Sequence, residues 1–98
     1  MDKQSTFYKA LRLLDKGDVD RAIELLKELY AASVKESDTM YIIQTSCVLG
    51  EYYLSENQTD VGRGYLKKVI DCSEADEDIR DILDYEISRA EELLNEIQ

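Results

Sequence analysis

Apolar and polar residues recur along this chain with helical spacing almost from end to end. Phe7, Tyr8, Ala10, Leu11, Leu13 and Leu14 form a first stripe, with Ser5 or Thr6 placed to cap it and Gly17 to end it in the left-handed conformation. Asp18 stands as cap for a second helix, in which Val19, Ala22, Ile23, Leu25, Leu26, Leu29 and Tyr30 hold the spacing into the low thirties. After the polar KESDT, Asp38 or Thr39 caps a third helix carrying Met40, Ile43, Val48, Leu49, Tyr52, Tyr53 and Leu54, which closes at SENQ. A fourth opens after Thr59 and runs through Val61, Tyr65, Leu66, Val69 and Ile70. Ser73 caps the last segment, which has acids in its first turn and apolar residues at 79, 82, 83, 87, 90, 93, 94 and 97, predicting one long closing helix. The pattern therefore predicts an all-α domain of about five helices. The absence of proline and a count of only four glycines agree, since strands need turn residues far more often than that.

Small residues carry a second message. Shifting the sequence over itself by forty positions aligns KALRLLDKGDVDRAIELLKELY with LGEYYLSENQTDVGRGYLKKVI. Ala10 then meets Gly50, Gly17 meets Asn57, Ala22 meets Gly62, Leu26 meets Leu66 and Leu29 meets Val69. Two antiparallel helices joined by a short turn touch backbones only where neither contact position carries bulk. The spacing predicts that Ala10 faces Ala22 and that Gly50 faces Gly62.

This alternation of small contact residues and a glycine or asparagine turn resembles the tetratricopeptide repeat family. The resemblance implies antiparallel helical hairpins stacked as a short right-handed α-solenoid, a single domain over 1–98. Repeat one would cover about 5–35, repeat two about 39–72, and a capping helix about 74–97. The chain departs from the family pattern at Thr6 and Ser46, where a large aromatic is usual, and its offset of forty exceeds the usual ~34 residues.

The family's concave groove is lined by the first helix of each hairpin, which here implies Gln4, Phe7, Leu11, Leu14 and Asp15, then Gln44, Cys47, Glu51, Leu54 and Ser55. The resemblance thus implies partner binding with affinity from Phe7, Leu11 and Leu54, orientation from Asp15 and Glu51, and Gln44 as a further contact on the same face. Leu11 and Leu14 are equally suited to packing against the chain's own helices. The family's lysine and asparagine clamp for a C-terminal carboxylate is missing, because Phe7, Leu11, Val48 and Glu51 occupy its places. An amphipathic or basic helix of a partner protein fits the groove better.

Charge sharpens the choice of partner. Residues 1–70 hold eleven acids and ten bases, a net of −1, whereas residues 71–98 hold eleven acids and two bases, a net of −9. Such a surface repels nucleic acid and anionic membrane and favours a basic protein face. Two other classes are consistent with the residues: a small acidic inhibitor of the immunity or antitoxin type that masks a basic surface, and a homodimer formed through the open end of a truncated stack.

Chemistry is sparse. There is no histidine, no serine or cysteine in a nucleophile motif, and VGRGYL lacks the strand and the GK[ST] ending of a phosphate loop. Cys47 and Cys72 lie twenty-five positions apart without a CxxC, so they read as reduced core residues. No catalytic residue, cofactor or metal ligand is expected. With no basic-then-apolar leader and no run near ~20 apolar residues, the chain is expected in the cytoplasm.

Overall fold

Three residues with positive φ set the layout: Gly17 at 84°, Ser37 at 56° and Asn57 at 61°, each twenty positions from the next. The computed structural model describes residues 1–97, and these turns divide its first part into α1 (Lys3–Asp15), α2 (Val19–Lys35), α3 (Thr39–Ser55) and α4 (Thr59–Ser73). All three turns close the same way. The amide after the left-handed residue donates to the carbonyl five back: Asp18 to Leu13 at 2.9 Å, Asp38 to Ser33 at 2.8 Å, Gln58 to Tyr53 at 2.9 Å. Gly17, Ser37 and Asn57 donate to carbonyls three back at 3.0, 3.2 and 3.1 Å, completing the paired bonds that satisfy a helix end.

The caps differ in part from those the sequence indicates. Asp2, not Ser5 or Thr6, caps α1, its carboxylate accepting from the Ser5 amide at 3.1 Å. Asp38 caps α3 through the Tyr41 amide at 3.4 Å, while Asp18 makes no side-chain cap bond. Ser73 ends α4, its hydroxyl donating to the Ile70 carbonyl at 2.7 Å, and Asp76 caps the helix that follows.

That following segment is two helices, not one: α5 (Glu77–Ile82) and α6 (Asp84–Glu96) meet at Leu83, where φ is −107° and ψ 32°. The described residues thus form six helices and no strand, and the single capping helix over 74–97 is corrected to a corner and a longer arm. The corner buries Leu83 beside Ile87, Ala90 and Leu94 and turns Ile82 outward, 64% exposed. Apolar spacing could not announce the bend, because Ile82 fits the stripe of a straight helix.

Helices α2, α3 and α4 bury equivalent positions: Ala22, Ile42 and Gly62; Leu26, Ser46 and Leu66; Leu29, Leu49 and Val69; Ser33, Tyr53 and Ser73. Each set again steps by twenty, and within a helix the 4-3-4 spacing draws one stripe. Helix α3 is buried beyond that stripe and carries one charged residue, Glu51. It serves two cores. Leu49 and Tyr53 pack with Ala10, Ile23 and Leu26 of α1 and α2, while Ile43 and Cys47 pack with α4 and α6.

The tightest contact joins α3 to α4. A Cβ built on Gly62 would lie 2.9 Å from the Gly50 carbonyl oxygen and 2.9 Å from Leu54 Cδ2, and one on Gly50 would lie 2.7 Å from Leu66 Cδ2. Ala10 and Ala22 are fully buried, with α1 packed on α2. A run of tyrosines braces the seam between α2, α3 and α4. Tyr30 meets Tyr65 edge-on at 5.3 Å, Tyr65 stacks on Tyr53 at 5.8 Å, and Tyr53 meets Tyr52 edge-on at 5.0 Å. The whole has a radius of gyration of 12.7 Å, and none of its described helices is long and apolar enough to cross a membrane.

Two glycines in one helix provide a direct test. Gly64→Ala, where a Cβ meets nothing within 4 Å, should stabilise the protein by about 0.5–1 kcal/mol through helix propensity. Gly62→Ala should instead destabilise it by about 1–3 kcal/mol, because backbone must move to admit the methyl. Urea unfolding of both variants reads the opposite signs. A second test concerns Ser46, fully buried and, among the described residues, the one whose buried hydroxyl lacks a hydrogen-bond partner. Ser46→Ala should stabilise the protein by about 1 kcal/mol, read as a higher urea midpoint, since it removes an unpaired polar group.

Candidate functional site

Gln44, Cys47, Val48 and Glu51 fall at i, i+3, i+4 and i+7 on α3 and therefore share one face. That face is the floor of a hollow of about 270 Å³, walled by Phe7 of α1 on one side and by Tyr85, Glu86 and Arg89 of α6 on the other. Phe7 is held by an edge-to-face contact with Tyr41, centroids 6.1 Å apart. Tyr85 is 75% exposed and forms the outer lip.

The polar half of the hollow is organised by Arg89. Its Nη2 and Nε both donate to Glu51 Oε1, at 2.6 and 3.2 Å, and Nη1 donates to Glu92 at 3.2 Å. The Glu51 bonds join α6 to α3, the Glu92 bond lies within α6, and together they raise the guanidinium pKa, the Glu51 hydrogen bond contributing most. The partners are partly exposed, so the pair orients side chains more than it stabilises the fold.

Cys47 closes the floor. It is 6% exposed, and its thiol donates weakly to the Glu86 carbonyl at 3.6 Å. Burial foremost, then the Glu51 and Glu86 carboxylates, push its pKa from 9.0 up to about 11, against a smaller opposing pull from Arg89. At neutral pH this is a protonated, unreactive thiol, an apolar patch in a groove. Cys72 is half-buried, and its pKa too is raised by burial.

Three of the six residues read from the sequence as partner contacts, Phe7, Gln44 and Glu51, are brought together here. Leu11 is half-buried on α1 and Asp15 lies exposed at its end, both outside the hollow's lining. Half-buried Leu54 lies outside the lining as well. It turns toward α4, fills the space above Gly62 and packs on the second core, because a glycine opposite leaves a void that a leucine covers. Sequence reasoning missed Tyr85, Glu86 and Arg89, having read the closing segment as a capping helix and its acids as a surface for a basic partner. One signal was present: Arg89 is one of only two bases among eleven acids there. Among the described residues, no group of three or more His, Cys, Asp or Glu is placed to hold a metal ion.

No family model, curated protein or solved structure matches the chain.

The thiols report on this geometry. In iodoacetamide at about pH 8, Cys72 should alkylate at least about tenfold faster than Cys47, and urea should abolish the difference. Intact-mass and peptide analysis reads both rates. The raised Cys47 pKa also makes a contribution to stability that is complete below about pH 8.5 and lost as pH climbs to about 11, because the unfolded chain sheds this proton first. Cys47→Ala should flatten that part of the alkaline stability profile.

Proposed function

We propose that the chain is a short helical-repeat module of the tetratricopeptide kind, a binding protein rather than an enzyme, whose groove takes an amphipathic or basic helical segment of a partner protein. The observation that carries this reading is the composition of the hollow between α1, α3 and α6. Phe7, Val48 and Tyr85 offer apolar contact, and Glu51 and Glu86 offer carboxylates beside it. Arg89 on Glu51 stands in for the cation a partner would bring. Two of the three lining helices, α1 and α3, are those that would open successive hairpins of such a repeat, and α6 closes the hollow from the far side. The volume, about 270 Å³, falls just below the ~300–1,000 Å³ of pockets that enclose small molecules, and so suits a few side chains of a peptide.

Position-specific photocrosslinking tests the assignment. A benzophenone amino acid at position 44 or 85 should trap one common protein from lysate, whereas the same probe at exposed position 67 on α4 should not. Phe7→Ala combined with Glu51→Lys should cut that yield at least about tenfold while circular dichroism stays helical. Equal trapping from position 67 would move the site off the groove.

A second reading, the acidic mask of a basic surface, is favoured by one fact. Of the eleven acids in residues 71–98, Glu92 alone is ion-paired among the described residues. It predicts an association rate that falls steeply as salt is raised, with little change in dissociation. Stopped-flow measurement on the trapped partner separates the two.

A further inference from the structure

The two ends of the packing order carry opposite charge. At the first, the seam between α1 and α2 opens as a hollow of about 240 Å³ walled by Lys9, Arg12, Lys16 and Arg21 beside the half-buried Leu13, with no acid in its lining. Arg21 alone of these cations is paired, with Asp18 at 3.5 Å between exposed side chains, a contact of little worth. At the other end, the α5–α6 corner presents Ile82, flanked in sequence by Asp81 and Asp84, neither of them ion-paired among the described residues. Residues 1–35 hold seven bases and six acids, a net of +1, against −9 for residues 71–98.

Acids alone would be accounted for by the solubility of an open end. An exposed isoleucine among them, and a cationic hollow with a leucine at its base on the opposite end, are not. We propose that these surfaces bind each other in successive copies of the chain, the Ile82 corner of one copy seating in the α1–α2 hollow of the next. The occupant is a second copy because this chain itself supplies the complementary charge and the apolar knob.

A net charge of −10 per copy opposes the contact only where salt lets it reach. At about 0.15 M the screening length is ~8 Å, well under the 31 Å extent of the molecule, so contact pairs outweigh the repulsion between whole copies. At about 0.01 M screening extends to ~30 Å and the repulsion returns. The interface joins two different surfaces, so each added copy leaves one of each free until the rotation between copies closes a ring.

Sedimentation velocity on the full chain, from about 10 µM to about 1 mM, reads the outcome. The expected result is a mean mass that grows with concentration without levelling at a dimer, greatest near 0.15 M salt and smaller at about 0.01 M and about 1 M. A monomer throughout, or a plateau at twice the chain mass, overturns the proposal. Charge reversal gives the sharper arm. Lys9→Glu with Arg12→Glu, and separately Asp81→Lys with Asp84→Lys, should each leave monomers with unchanged helicity, and mixing the two variants should restore association. A mixture that stays monomeric overturns the pairing of these two ends. Inorganic phosphate that shifts the Lys9 and Arg12 NMR signals in a chain that never self-associates would reassign the hollow to small anions and overturn the proposal as well. Phe7→Ala should leave self-association intact, which keeps this result independent of the groove.

Discussion

Where α3 crosses α4, two backbones meet with nothing between them but the hydrogens of Gly50 and Gly62. Ordinary helix pairs are held apart by their side chains, and the interaxial distance follows from whichever residues interlock. Here the absence of side chains sets the distance, and Leu66 and Leu54 occupy the space that a Cβ on Gly50 or Gly62 would need. The second core depends on that approach. Leu66 and Val69 reach Ile43 and Cys47 because α4 lies so near α3, and α6 then covers both.

Helix α3 sits between the two cores and belongs to each. Its Leu49 and Tyr53 complete the cluster built on α1 and α2, and its Ile43 and Cys47 complete the one built on α4 and α6. Neither half can separate without exposing apolar surface on this helix, so the two clusters act as one cooperative body despite their separate composition. The groove floor inherits this rigidity, since Gln44, Cys47, Val48 and Glu51 ride on the same helix. The walls are held less firmly: Phe7 is only partly buried, packing on the first core and edge-on to Tyr41, and the Arg89 side chain is held by bonds to partly exposed carboxylates.

The sequence made the helices legible because burial on one stripe leaves a period that any reader of apolar spacing recovers. It made Gly17 and Asn57 legible because both residue types tolerate positive φ. Ser37 takes the same conformation without a composition that announces it, and only the polar run KESDT marked the place. The closing segment was misread for a related reason: spacing tells which residues are apolar, not whether the axis under them is straight. Ile82 obeyed the period and still faces water. Leu54 shows the limit for the site, since a stripe position names a side of a helix and cannot say which neighbour will claim it. Arg89 was passed over because a cation on an acidic helix looks solvated until α3 is placed beside it.

The regular interval between Gly17, Ser37 and Asn57 restricts how such a chain can grow. Every one of these turns reverses chain direction, and α1 and α3, two helices apart, bring Phe7 and Gln44 to the same side. Inserting one helix-and-turn module of this length would therefore swap inner and outer walls, while inserting a pair would lengthen the trough and leave its lining facing the same way. Elongation of this architecture is quantised in even steps.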